Sequence, residues 1–122
     1  METRFLIYLD THVILWLYAR AKHLIEDDRD ILISPMVLLE LDYLHEVGQT
    51  TLASTPVYDY LHQRIDLQVC KKAFADVIQT ASQQSWTRDP FDRIITAQAA
   101  IDKNSFITKD KIIREHYEHT VW

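Results

Sequence analysis

The chain has 122 residues, 48% of them hydrophobic and 25% charged, a balance that suits one globular domain over residues 1–122 and excludes a disordered segment. A single cysteine, Cys70, excludes an internal disulfide framework and a thiolate metal cage, and with no apolar run near the ~20 residues of a membrane span and no signal-peptide flank at Met1 to Arg4, the expectation is a soluble cytoplasmic protein without a membrane partner. The formal net charge of −5 runs against the basic footprint usual in nucleic-acid binders, so any such reading must explain its acids.

Residues 5–9 form an apolar run too short for a helix, which reads as a strand ending at Asp10, and helical periodicity follows from about His12 to Leu24. Residues 31–33 predict a second strand. Ser34 and Pro35 then suit the N-cap and first position of a helix that ends at Gly48, the only glycine, which also excludes a glycine-rich phosphate loop. Thr55 and Pro56 repeat the start signal for a helix to about Gln63, residues 65–69 predict a strand, and residues 71–82 a further helix. Asp89 and Pro90 open a helix to about Asp102, residues 105–108 read as a strand, residues 111–117 as a short helix, and residues 120–122 as a last strand. Short strands alternating with helices predict an α/β fold with a parallel sheet covered on both faces. Ligands of such sheets bind beyond the carboxyl ends of the strands.

That topology can gather Asp10, Glu40, Asp92 and Asp110, with Asp89 as a fifth acid. Asp10 and Asp110 each follow a strand and precede a helix, where a carboxylate serves equally as an ordinary cap or as part of a site. A carboxylate recurring at the same end of two strands favours a site. Glu40 has Met36, Val37, Tyr43, Leu44 and Val47 as helical neighbours and no Lys or Arg in its helix, so its charge sits on an apolar face and calls for a cation or donors from elsewhere. Asp42 and Glu46 lie off that face and read as solvated. Asp89 is explained by capping as well as by function, whereas Asp92, beside Ile95, Thr96 and Ala99, is explained less fully by the helix dipole. Crowded carboxylates repel unless a divalent cation sits among them, and oxygen-only ligands suit Mg²⁺ or Mn²⁺ rather than zinc. Such ions activate water for attack on a phosphodiester. The negative charge is then accounted for by acids committed to metal, while Arg4, Arg88, Arg93, Lys109 and Lys111 lie near them in sequence to hold a nucleic-acid backbone.

These residues carry a resemblance. Tyr8-Leu9-Asp10-Thr11-His12 with Trp16, Ser34-Pro35 through Leu39-Glu40-Leu41, Arg88-Asp89-Pro90-Phe91-Asp92-Arg93 continuing to Ala97-Gln98-Ala99, and Ile107-Thr108-Lys109-Asp110 together resemble the PIN-domain family, in particular its VapC-like toxin branch. The resemblance implies a three-layer α/β/α sandwich around a central, mainly parallel sheet, a Mg²⁺- or Mn²⁺-dependent endoribonuclease, an RNA substrate, a cognate antitoxin and a homodimer. It assigns Asp10, Glu40, Asp92 and Asp110 to the family's acidic quartet, Asp89 to a further metal-binding acid, and Thr11 and Thr108 to hydroxyls that orient the ligands. Residues 48–70 match no motif of the family.

His116 and His119 are the only histidine pair at a metal-like spacing, and His12, for all its closeness to Asp10, reads as a surface or packing residue. Trp16, Trp86 and Trp122 suit base stacking, though core or partner contacts explain them as well. The competing functions are a PIN-like interaction module that binds a partner without cutting, and a phosphoacceptor receiver domain. The receiver reading lacks its adjacent acids after the first strand and its acceptor aspartate after the third.

Overall fold

The computed structural model describes residues 6–19 and 30–122, so the expected strand start at Phe5, the second half of the first helix and Arg4 lie outside the described residues. In chain order the elements are β1 (Leu6–Leu9), α1 (Thr11–Ala19), β2 (Asp30–Ile33), α2 (Pro35–Glu46), α3 (Ser54–Ile65), β3 (Gln68–Val69), α4 (Phe74–Ala81), α5 (Pro90–Ala100), β4 (Ser105–Ile107), α6 (Lys111–His116) and β5 (Thr120–Val121). The five strands form one sheet in the order β3-β2-β1-β4-β5, with every pairing parallel. Because Ile7, Tyr8 and Leu9 point alternately to opposite faces and all three are buried, both faces of the central strand are covered by helices. This is the α/β/α sandwich, with a sheet that is wholly parallel. Among the described residues no helix is long and apolar enough to cross a membrane.

The main core gathers β1, β2 and Phe106 of β4 with Val13, Ile14 and Leu17 of α1, Val37 and Leu41 of α2, and Val57 and Leu61 of α3. A smaller cluster, Val77, Ala81, Ile94 and Ala97, joins α4 to α5.

Local chemistry sets the helix ends. Ser34 caps α2 by accepting from the Met36 N–H at 3.1 Å, with Pro35 at the first turn, and its hydroxyl also donates to Gln98 Oε1 at 2.9 Å, which ties the start of α2 to α5. Helix α2 stops at Glu46, and Gly48 takes the left-handed conformation (φ 80°) that ends it.

Residues 48–73 depart from the sequence reading in three places. Helix α3 begins at Ser54 rather than Thr55, and its N-cap residue, Ala53, has no side chain able to cap. The cap comes from α2: Asp42, expected in solvent, accepts from the Ser54 N–H at 2.8 Å. Ile65 belongs to α3, because Asp66 adopts the left-handed conformation (φ 55°) that closes the helix, and β3 is left with two residues. Helix α4 starts at Phe74 rather than Lys71, since Lys72 is drawn inward, its Nζ donating to the Gln98 carbonyl and pairing with Asp102, both at 2.9 Å, above the Tyr8 ring. A loop held this way cannot also be the first turn of a helix.

The Asp42 cap is testable by unfolding in urea. Asp42→Ala is expected to lower the midpoint at unchanged m-value, a loss of about 1 kcal/mol, while the exposed Glu46→Ala on the same helix stays within about 0.5 kcal/mol of the parent.

Candidate active site

The parallel pairing of β1 with β4 sets Leu9 opposite Ile107, so the residues just beyond the two strands meet. The Asp10 N–H donates to the Ile107 carbonyl at 3.0 Å. The Asp10 side chain is only 7% exposed, with Oδ1 accepting from the Thr11 N–H at 2.8 Å and Oδ2 from the Thr108 hydroxyl at 2.6 Å. Thr108, itself buried, accepts in turn from the Asp110 N–H at 3.1 Å. A relay thus runs from the Asp110 backbone through the Thr108 hydroxyl to the Asp10 carboxylate. It fixes the β1–α1 junction against the β4–α6 junction.

Two further acids sit at helix starts and do two jobs with two oxygens. Asp110 caps α6 through Oδ1 alone, which accepts from Ile112 and Ile113 at 2.8 and 3.0 Å. Asp89 caps α5 the same way, its Oδ1 accepting from Phe91 at 2.8 Å and Asp92 at 3.5 Å. In each case the other oxygen takes no hydrogen bond from a described residue. Capping and site chemistry, alternatives in the sequence, are compatible in the structure. Asp10 differs, because its side chain accepts from the adjacent N–H of Thr11 rather than from the second or third residue of the helix, as a standard cap does.

Glu40, in the middle of α2, and Asp92, in the first turn of α5, complete the set from two helices packed on each other. Asp10, Glu40, Asp89, Asp92 and Asp110 line one cleft of about 430 Å³ together with His12 and Lys109. The electrostatics show how uncomfortable this is. Burial raises the pKa of Asp10, against the Thr108 and Thr11 hydrogen bonds and His12, which lower it. Burial likewise raises that of Glu40, and the nearby Thr11 hydroxyl lowers it in part. That hydroxyl is buried and close enough to favour the Glu40 charge, yet it completes no well-aligned hydrogen bond. Asp92 has no compensation: burial, then Asp89, Asp10, Asp110 and Glu40, all act in one direction and push it up from 3.8 to about 7.

All five sequence-derived acids therefore share a cleft. Among the described residues, no three carboxylate, imidazole or thiolate groups lie close enough together to form a ready-made metal cage. Donors that are all oxygen, with room for water between them, fit a hard divalent ion that keeps much of its own hydration.

The basic residues divide. Lys109 lines the cleft, whereas Arg88 is exposed outside its lining, Lys111 pairs with Glu115 at 4.0 Å, and Arg93 turns its Nε to the Thr87 carbonyl at 2.6 Å, bracing the loop before α5. His116 and His119 do not pair, since His116 stacks on Trp86 and His119 meets Glu118 at 3.3 Å. His12 is the residue underrated in the sequence: it is exposed, as expected, but it stands in the cleft wall. Its place two residues beyond Asp10, at the start of a helix, was the available signal.

The sequence model of one protein family, the PIN domain, matches residues 7–118. No curated protein sequence matches the chain. Among solved structures, a chain of the VapBC2 assembly of Rickettsia felis, determined bound to a DNA fragment from its promoter, is similar in fold with a TM-score of 0.65 and 15% identity over 96% of each chain.

The crowding of Asp92 makes a prediction for the metal-free protein. Because its folded pKa lies above its unfolded one, its charge opposes folding fully above about pH 7, and this penalty is relieved as pH falls through 7 towards 3.8. Asp92→Asn is therefore expected to melt above the parent in EDTA at pH 8, by roughly 1 kcal/mol or a few degrees, with a smaller gap at pH 5. Thermal unfolding at the two pH values measures it.

Proposed function

The chain belongs to the PIN-domain family, and on that premise we propose that it is a metal-dependent endoribonuclease, the toxin of a VapBC-type toxin–antitoxin pair. The observation that carries the reading is the cleft itself, in which five carboxylates, Asp92 among them, share a lining with Lys109 and His12 among the described residues. Such a pocket is suited to cationic contents and to a phosphodiester brought in with them.

Asp10, Glu40, Asp92 and Asp110, with Asp89 beside them, are the residues that would hold Mg²⁺ or Mn²⁺. A bound ion of this kind supplies Lewis acidity and lowers the pKa of water for in-line attack on phosphorus. The protein's own part is positioning. Asp10 accepts one hydrogen bond on each oxygen, from Thr11 and Thr108, so its rotamer is fixed while each oxygen keeps a lone pair for an ion. Asp89 and Asp110 are held by their caps through Oδ1, which leaves the second oxygen of each for an ion. Asp92 and Glu40 contribute charge without a fixed partner, and Lys109 offers an ammonium to a phosphate oxygen. Arg88 is the further phosphate contact proposed, on the exposed approach. The likeness to a VapBC assembly supports an antitoxin as the partner that restrains the activity, and an RNA substrate sets its work in the cytoplasm.

Incubation with total cellular RNA, with Mn²⁺ or with excess EDTA, is the decisive measurement. Asp10→Asn and Asp92→Asn are each expected to lose at least about 100-fold in cleavage while keeping the parent's circular dichroism. Full activity of both variants, or in EDTA, sinks the mechanism, and failure of the parent to bind Mn²⁺ returns the chain to a silent interaction module.

Asp89 allows a sharper separation. Asp89→Ser keeps a capping oxygen and removes the carboxylate, so stability is expected to stay within about 0.5 kcal/mol while cleavage falls by roughly tenfold or more. Equal loss of both would make Asp89 a structural residue.

A further inference from the structure

Helices α2 and α5 carry Glu40 and Asp92, and their contacts follow one order. Ser34, at the start of α2, meets Gln98 near the end of α5, Met36 packs on the cluster that includes Ile94 and Ala97, and the Tyr43 ring lies 5.9 Å from that of Phe91. As the chain advances along α2 its partners move back along α5, so the two helices run antiparallel. Glu40 and Asp92 share the cleft between the Ser34 and Tyr43 ends of this contact. Glu40 stands six residues after Ser34 and Asp92 six before Gln98, so each acid is roughly 9 Å along its own helix from that pair.

The contacts that hold this register differ in kind. Those of Met36 with the Ile94 and Ala97 cluster are apolar and without direction, and the small Ala97 side chain offers little to interlock with. The hydrogen bond from Ser34 Oγ to Gln98 Oε1, buried and 2.9 Å long, is directional. Gln98 is a costly residue for its place. It is fully buried, and its Nε2 finds no partner among the described residues, so part of the cost of taking the amide out of water is unmet. An apolar side chain of the same length avoids that cost, so stability is not what the amide adds. The main chain of Gln98 is held too, by Lys72 Nζ, which donates to its carbonyl at 2.9 Å while pairing with Asp102. One residue of α5 is thus tied to the start of α2 and to the loop before α4.

We propose that Gln98 is a positioning residue for the acids of the cleft: through Ser34 it sets the register of α2 on α5 and with it the separation of Glu40 and Asp92. The inference rests on the metal-holding part of the reading above, and it assigns some of the precision of that site to two neutral side chains outside the cleft lining. Carboxylates that share an ion must be placed to within about 0.5 Å. A slip of one helix along the other at Gln98 carries Glu40 past Asp92 by a similar distance, because a helix is stiff over less than two turns.

The test reads Mn²⁺ alone, by the loss of its free-ion electron paramagnetic resonance signal on titration with protein, beside thermal unfolding in EDTA. Gln98→Met keeps the length of the side chain and leaves the Ser34 cap of α2 in place. It is expected to melt within about 3 °C of the parent and to bind Mn²⁺ about fivefold more weakly. Ser34→Gly, which keeps a serviceable helix start, is expected to weaken Mn²⁺ binding to the same extent, and the double variant no further, since both changes remove one bond. Asp42→Ala, which removes the cap of α3, is expected to lose stability and to keep the parent's Mn²⁺ affinity within about twofold. The positioning role is overturned, with the metal reading left standing, if Gln98→Met and Ser34→Gly bind Mn²⁺ as the parent does, if Asp42→Ala loses as much affinity as they do, or if the double variant loses the product of two independent effects. A Gln98→Met protein that melts more than about 10 °C below the parent overturns it as well and makes the amide a structural group. A parent that does not bind Mn²⁺ overturns both readings. Weakened Mn²⁺ binding in the two single variants, with no form of the protein cutting RNA, keeps the positioning role and removes the nuclease.

Discussion

The hydrogen bond from Thr108 to Asp10 joins the two ends of the chain at the centre of the sheet, and the site is arranged around it. A carboxylate as buried as that of Asp10 is tolerated only when donors meet it, and the parallel register of β1 and β4 is what delivers the threonine. The same register brings the starts of α1 and α6 side by side, and the packing of α2 on α5 brings Glu40 and Asp92 across from them. The protein spends fold stability to hold like charges together. Asp92, shifted to about 7 with no compensating donor, is where that cost concentrates.

Much of this was legible in the sequence because its causes are local. Ser34-Pro35 and Asp89-Pro90 announce helix starts through their own side chains and ring geometry, and both stand where expected. Glu40 could be singled out because a charge among helical neighbours that are all apolar needs an outside explanation. What the sequence hid depends on pieces far apart. Asp42 caps α3 across a helix pair, Lys72 is drawn onto α5 by Gln98 and Asp102, and β3 is cut short by the left-handed turn at Asp66. None of these can be read without knowing which elements touch. The order β3-β2-β1-β4-β5 is of the same kind, since the central strand is the first in the chain.

The caps blur the usual division between residues that build a fold and residues that use it. Asp89 and Asp110 satisfy helix N–H groups with one oxygen and both residues line the cleft, so the rigidity of the helix start becomes the rigidity of the site. A carboxylate on a loop would need extra contacts to be held as well.

The distance in sequence between Asp10 and Thr108 has a consequence for synthesis. A polypeptide leaves the ribosome from its amino end, and its early segments emerge first. The first acid is exposed to the cell long before β4 and α6 exist, and the pocket cannot close until that last portion has come out of the exit tunnel. The wiring of the sheet thus makes assembly of the acidic cleft wait on β4 and α6, which emerge well after β1 and α1.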